Sequence, residues 1–284
     1  MAVSALQPAQ PDDDARRDFR LGERYRVALD LPVAWNDTLD VLVAHRSVRA
    51  FLPDALPAGT IELLVAAGQS AASSSNLQPW SVIAVENPAR KARLAALAGN
   101  QKHIEQAPLF LLWLVDLHRL ETVGKDVGTP TEGLDYLETL LLGTVDTAIA
   151  AQNAVVALES LGLGAVYAGG IRNRPADVAR ELGLPPHVFA LVGLAVGYPD
   201  PDAPASVKPR LPQEAVLFRE QYAPWAHAAA VSDYDLRLRD FQREQGLTER
   251  DWSQQATQRV RGAEALSGRH LMRDVLNRLG FGLK

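Results

Sequence analysis

A chain of 284 residues that is 47% hydrophobic can bury a substantial core, either as one large domain or as a domain with an appendage. Its formal net charge of -5 argues against nucleic acid as the main partner, so local basic clusters point to small anionic ligands. The absence of cysteine removes disulfides, thiolate metal sites, iron–sulfur clusters and thiol nucleophiles, and any redox chemistry has to use a bound cofactor.

Residues 1–33 read as an extension, partly disordered or with a peripheral charged helix over 16–31. They hold no apolar run resembling a signal peptide, which makes a cytoplasmic location the expectation. Asn36 or Asp37 then caps a short helix reaching Val43. His45-Arg46-Ser47-Val48-Arg49 follows and delivers one imidazole, two guanidiniums and a hydroxyl within five residues. That grouping suits a phosphate or another oxyanion, and it is equally what a solvated basic turn looks like. Pro57 and Thr60 introduce a second helix to about Ala71, which ends at Ser73-Ser74-Ser75. Serines cap helix ends, but here they feed through Leu77-Gln78-Pro79 into a strand, the kind of edge where ligands bind.

Residues 80–85 read as a strand, 89–98 as a helix and 99–103 as a polar loop. The continuously apolar run 109–115 is expected at the centre of a sheet. After a loop over 124–133, residues 134–161 form the longest predicted helix, kept thin in places by Gly143, Ala148, Ala150, Ala151 and Ala154. Glu138, Asp146 and Glu159 make a membrane span a poor reading, so this helix is expected to be buried. Cover can come from its own domain or from a twofold-related copy. A short strand runs into Gly169-Gly170, followed by a helix over 175–182 and a buried strand over 188–196. Prolines 199, 201, 204, 209 and 212 mark an extended segment carrying Lys208 and Arg210. The charged helices predicted over 235–244, 251–261 and 269–279 have too few large apolar residues for a core of their own. They are expected to form an arm over the body or over a partner subunit. Residues 34–231 and the arm 232–284 are taken as one domain.

Lys208-Pro209-Arg210 lies about 160 residues beyond His45, and two separated cationic elements converging on one phosphate is a common solution, although the pairing can also be chance. Arg49, two residues beyond Ser47, shares a face with it in an extended chain and reaches further along a ligand, or is an ordinary surface arginine. Gly169-Gly170 permits close approach of backbone N–H groups to a flat ligand, or simply makes a tight turn. There is no G-x-G-x-x-G after the first strand and no H-E-x-x-H, and His118, His187 and His227 have no metal-like neighbours in sequence, so no metal is expected. Without a G-x-S-x-G elbow, a hydrolase is only a weak alternative.

Several motifs in order carry a resemblance to a known family. They are His45-Arg-Ser-Val-Arg-Ala-Phe51, Gln69-Ser-Ala-Ala-Ser-Ser-Ser-Asn-Leu-Gln78, Gly99-Asn-Gln-Lys-His103, Leu141-Leu-Gly-Thr-Val-Asp-Thr-Ala148, Gln152-Asn153, Glu159-Ser-Leu-Gly-Leu-Gly164, Tyr167-Ala-Gly-Gly-Ile-Arg-Asn173 and Lys208-Pro-Arg-Leu-Pro212. Together they resemble the FMN-dependent nitroreductase superfamily, and within it the oxygen-insensitive NADPH nitroreductase and bacterial flavin reductase branch. The resemblance runs from about Asp37 to Lys284 and leaves the N-terminal extension without a counterpart. It implies an α+β fold, with a central mixed sheet flanked by helices, a long dimer-interface helix, a C-terminal arm reaching over the partner, and a homodimer with tightly bound FMN.

Carried over residue by residue, the resemblance implies that His45, Ser47, Lys208 and Arg210 hold the FMN phosphate, with Arg46 counted among the cofactor-binding residues. Arg49 would face the N1/O2 edge of the flavin. Ser73 and Ser75 would reach the cofactor from the partner subunit, and Gln101 would bond the pyrimidine edge. Gly169 would offer its N–H near flavin N5, with Tyr167, Ala168 and Gly170 beside it. Arg172, Arg243, Arg250 and Arg269 are the expected contacts for acceptor or pyridine nucleotide. The implied reaction is ping-pong hydride transfer from NADPH or NADH through flavin N5 to nitroaromatics, quinones or similar small acceptors, with Arg49 stabilising negative charge near N1. Two alternatives stay open: a flavin reductase feeding a monooxygenase, and a flavin-binding protein without turnover. The family branch places an arginine for the NADPH 2′-phosphate where this chain has Gln245, with Arg243 and Arg250 nearby, so the nucleotide preference stays open as well.

Overall fold

The structure is a computed structural model and describes residues 11–203, 205–223 and 227–284. The first ten residues of the expected extension and Pro204 of the proline-rich segment therefore lie outside the described residues. In chain order the elements are α1 (Pro11–Tyr25), α2 (Asp37–Ala44), α3 (Thr60–Gln69), β1 (Trp80–Val85), α4 (Pro88–Leu97) and α5 (Lys102–Gln106). They continue with β2 (Leu109–Asp116), α6 (His118–Val127), α7 (Leu137–Ser160), β3 (Gly164–Ala168) and α8 (Pro175–Leu182). The last are β4 (Val188–Gly197), α9 (His227–Glu244), α10 (Trp252–Arg259) and α11 (Met272–Arg278). The chain divides into two compact units, the first made of Met1–Arg46 with Ala205–Ala265 and the second of Ser47–Pro204 with Leu266–Lys284.

Unit 1 is helical. α1 starts earlier than the sequence pattern suggests, because Asp12, Asp13 and Asp14 in its first turn complement the helix dipole, and it stops where Arg26 takes φ 59°. Arg16 and Arg20, one turn apart on α1, bind Asp37 at 2.9 Å and Asp40 at 3.1 and 3.0 Å, so α1 and α2 are joined by a ladder of ion pairs. Asn36 caps α2 by accepting from the Leu39 N–H at 3.0 Å. α9 begins at His227 rather than near 235, since Ala228, Ala229 and Ala230 extend the helix. Its buried side chains Ala230, Tyr234, Leu238 and Phe241 recur at helical spacing, and the Tyr234 ring meets Trp252 of α10 edge-on at 5.8 Å.

Unit 2 is built on a four-stranded sheet of order β1-β2-β4-β3, antiparallel at every pairing. β2 is an inner strand, buried from Leu109 to Val115, as its unbroken apolar run requires. The expected mixed sheet is thus antiparallel in its four strands, and an isolated parallel bridge, Ser47 to Ala165, sets the segment after α2 beside edge strand β3. β2 and β4 interlock at Gly193, where the Phe110 ring occupies the place of a Cβ. α7 lies on this sheet, with Ala150, Ala151, Ala154, Val155 and Leu158 in one core with Leu111, Trp113 and Leu194. Gly143 allows the approach, since a Cβ there would stand 2.7 Å from Val115 Cγ1. Leu276 and Phe281, from α11 and the tail behind it, join Val115, Leu117, Leu140 and Phe189 in a second cluster. Two stretches expected as loops are partly helical: α5 begins at Lys102, and α6 occupies 118–127. α6 is held by its Glu121 carboxylate, which bonds Lys125 Nζ at 2.7 Å and His187 Nδ1 at 2.9 Å.

Candidate active site

Unit 1 holds His45, Arg46, Lys208 and Arg210. His45 is the C-cap of α2 and half-buried, while Arg46 is exposed. On the second segment Val207 and Pro209 are buried and Lys208 and Arg210 are exposed, the alternation of an extended strand, which puts the two cations on one face. Buried Arg24, from the last turn of α1, joins the two segments. Its Nη1 donates to the Lys208 carbonyl at 2.8 Å, and its Nη2 donates to the carbonyls of Val43 at 2.8 Å and His45 at 2.6 Å. The Arg210 N–H donates back to the Arg24 carbonyl at 3.0 Å, and the Tyr234 hydroxyl donates to the Pro209 carbonyl at 2.8 Å. Two stretches separated by some 160 residues in sequence are thus fixed to one guanidinium.

Unit 2 gathers most of the other expected residues. Ser47, through its bridge to Ala165, fixes the course of the chain, and Arg49 is exposed two residues on. Arg49 acts electrostatically on His103, whose pKa is lowered first by burial and then by that cation, so the imidazole is neutral at pH 7. His103 Nε2 and Gln101 Oε1 are buried, and neither has a hydrogen-bond partner among the described residues. Gln101 Nε2 stands 2.8 Å from the place of a Cβ on Gly170, and the Ala98 carbonyl oxygen 2.2 Å from it, so only glycine lets this turn sit against the end of α4. Gly169 opens the 3₁₀ turn Gly169–Asn173 after β3, with Arg172 Nη2 3.4 Å from its Cβ place. Ala168 is buried, and Tyr167 is half-buried with its hydroxyl 3.4 Å from Gln152 Oε1 and its pKa pushed up by burial.

The four arginines expected to meet substrate differ in setting. Arg172 is half-buried, donates to the Leu191 carbonyl, and has its pKa lowered by desolvation. Arg269 donates to Asn173 Oδ1 at 2.9 Å, which links it to the Gly169–Asn173 turn. Arg243 is clasped by Asp240 at 2.9 Å and Glu249 at 2.8 Å. Arg250 instead lines a groove of about 610 Å³ in unit 1, together with Arg259, Arg261 and Gln254, Gln255 and Gln258.

The serine loop is fixed by a group the sequence reading passed over. Asp146, 2% exposed on α7, accepts from the Ser73 hydroxyl at 2.7 Å and from the Ser74 N–H at 3.2 Å. The Ser73 oxygen in turn accepts from the Gln78 N–H at 2.9 Å. Inside this frame Ser75, Asn76 and Gln78 take φ values of 49°, 54° and 50°, three non-glycine residues at positive φ on either side of right-handed Leu77. Arg24, His103 and Asp146 each left a signal: arginines four residues apart at 16, 20 and 24, a histidine closing a quoted motif, and one carboxylate inside an apolar helix.

Comparison with known proteins places these features in a family. The Nitroreductase family model matches residues 42–130 and 142–198, and the model of the Nitroreductase family, C-terminal domain, matches 208–284. The FMN reductase (NADPH) of Bacillus subtilis is 38% identical over 78% of this chain and 90% of its own length. The oxygen-insensitive NADPH nitroreductase of Salmonella typhimurium is 41% identical over 76% of this chain and 88% of its own. The solved structure of NfrA2 from B. megaterium is 36% identical, superposes with a TM-score of 0.82, and covers 88% of this chain and 99% of its own. On these matches, which extend through both units, the chain belongs to the nitroreductase family.

Proposed function

We propose that this protein is an FMN-dependent NAD(P)H oxidoreductase that reduces nitroaromatics, quinones or similar small acceptors, working as a cytoplasmic homodimer. The observation that carries this reading is the pair of unsatisfied buried polar atoms, Gln101 Oε1 and His103 Nε2, beside a glycine turn. A buried acceptor left without a donor costs about 1–3 kcal/mol, so both atoms fit a site completed by a ligand with polar edges, such as an isoalloxazine ring.

FMN, when bound, supplies the two-electron chemistry that the protein's own side chains lack. The chain's residues bind and orient it. His45, Arg46, Ser47, Lys208 and Arg210 are assigned to the phosphate. Gln101, Tyr167, Ala168, Gly169 and Gly170 are assigned to the ring, and Gly169 offers a backbone N–H at the reacting edge. Arg49 supplies a fixed cation where negative charge develops. His103 adds hydrogen-bonding capacity without charge, because burial and Arg49 keep it neutral. Arg250 and its neighbours in the arginine- and glutamine-lined groove suit the anionic groups of the nucleotide. Arg172 and Arg269, fastened to Leu191 and Asn173, support the glycine turn and face the acceptor.

The homodimer is supported by α7. Leu137, Leu141, Val145 and Ile149, spaced four apart on one face, are 47%, 52%, 58% and 36% exposed. Such a stripe asks for cover, and a second copy provides it symmetrically. In that assembly Ser73 and Ser75 serve the cofactor of the partner subunit, and the arm reaches over the other protomer through α9 and α10, since α11 and the tail behind it pack into their own sheet core. A second reading, delivery of reduced flavin to a monooxygenase, uses the same residues and is favoured by the relative named FMN reductase.

Purified protein is expected to be yellow, with one FMN per chain, and to bleach within seconds on mixing with NADPH or NADH in a stopped-flow instrument. Arg49→Ala is expected to keep most of its FMN while the bleaching slows by roughly tenfold to a hundredfold. If neither nucleotide bleaches the flavin, turnover is ruled out and a flavin store remains.

A further inference from the structure

We propose that Arg24 is a positioning residue that preorganises the anion clamp, fixing the backbone of His45 and Lys208 so that their neighbouring cations meet one phosphate. The inference rests on the assignment of these residues to the FMN phosphate and deepens it. Arg24 lies ahead of residue 42, where the family match begins, on a helix to which no function has been given.

The first argument is geometric. Along α1, Arg16, Arg20 and Arg24 form one face, opposite Asp37, Asp40 and Val43 of α2. The first two rungs meet carboxylates. The third meets carbonyls: that of Val43 in the last turn of α2, that of the C-cap His45, and across the sequence that of Lys208. A planar guanidinium with donors on two edges can hold three carbonyls at once in a fixed arrangement, and cations suit a helix C-terminus. Arg24 is 8% exposed, so these bonds are shielded from competing water. The Arg210 N–H to Arg24 carbonyl bond closes the frame from the other side.

The second argument is electrostatic. Tyr234, whose pKa is raised mainly by burial, is acted on in the opposite sense by both Arg210 and Arg24, so the two cations share one neighbourhood. Holding like charges together is unfavourable until an anion neutralises them, and a rigid frame is what keeps them in place. A dianion bound there gains from preorganisation, whereas a neutral ligand gains nothing.

That contrast supplies the test. FMN and riboflavin share the ring and differ in the phosphate, so the ratio of their dissociation constants, measured by fluorescence titration of apoprotein, isolates the clamp. Wild type is expected to prefer FMN. In Arg24→Ala the preference should fall about tenfold, with riboflavin affinity unchanged. Arg24→Lys keeps charge and stem but lacks the fork, and it should lose part of the preference. It also serves as the second variant if the alanine substitution does not fold. Arg20→Ala, which loosens the ladder without touching the clamp, should keep the full preference. Equal loss of FMN and riboflavin affinity in Arg24→Ala and Arg24→Lys would mean a merely structural role and overturn the proposal. An unchanged ratio in both variants overturns it too while leaving the phosphate assignment intact. A wild type with no preference for FMN overturns that assignment, and this inference with it.

Discussion

On the site assignment proposed above, the two units meet different recognition problems with different materials. Unit 1 offers exposed cations, Lys208 and Arg210, on extended chain that has little sheet to hold it and is pinned from beneath by buried Arg24 and Tyr234. Unit 2 offers neutral, buried polar atoms and glycine backbone set against a four-stranded sheet whose inner strands are mostly buried. A phosphate is found by charge and tolerates some play, so its ligands can stand in solvent if something holds their backbone. A flat ring is recognised by shape and by a few uncharged edges, which only a stiff wall keeps within tenths of an ångström. Exposed charge is also screened by salt, and buried hydrogen bonds are not.

The largest effect that would break this contrast is loss of the clamp cations. Lys208→Ala combined with Arg210→Ala is expected to weaken FMN binding by about a hundredfold or more and to flatten its dependence on salt, read by fluorescence titration at low and high ionic strength. Loss of hydride-transfer rate with FMN affinity intact would reverse the roles given to this pair and to Arg49. A smaller effect is expected where the loop of unit 2 is braced. Asp146→Ala leaves the Ser73 hydroxyl and the Ser74 N–H without their acceptor, which should cost about 2 kcal/mol in denaturant unfolding and raise amide exchange at Leu77 and Gln78. Unchanged exchange there would show that the loop holds itself.

The smallest effect is on acid stability, away from both clusters. The Glu121 carboxyl is held at about 2 by hydrogen bonds from Lys125 and then His187. Its native value lies below its unfolded one, so its contribution is complete above the ordinary carboxylate range and is lost as pH falls towards 2. Glu121→Gln should remove that pH dependence, by under about 1 kcal/mol because the site is partly open to solvent. Equal acid denaturation midpoints would show that the pairing adds nothing measurable.

Much of the core was legible in sequence because its signals are local. The unbroken apolar run at 109–115 announced β2, and Pro175 with Gly183 bracketed α8. The helix of the extension, expected over 16–31, spans 11–25 instead, because the proline and aspartates that start α1 outweigh the amphipathic spacing. The stretches 99–103 and 124–133 read as loops, yet α5 starts within the first and α6 runs into the second, since their polar exposed faces hide the burial at Ile104 and Gly124. At the site, residue types that imply charge, such as His45 or Lys208, stood out unaided. Arg24 and Asp146 did not, because their importance lies in which carbonyl or hydroxyl they reach, and those partners are remote in sequence.

The Arg24 to Lys208 bond spans 184 residues, which has a temporal consequence. At a synthesis rate of roughly 10 residues per second, about 20 s separate the emergence of its two ends. The local sheet hairpins and the α3 and α7 pair can therefore form while α1 is still waiting for its counterpart. The clamp proposed for the phosphate therefore closes only after Lys208 has emerged, later than β1, β2 and α7 have been made.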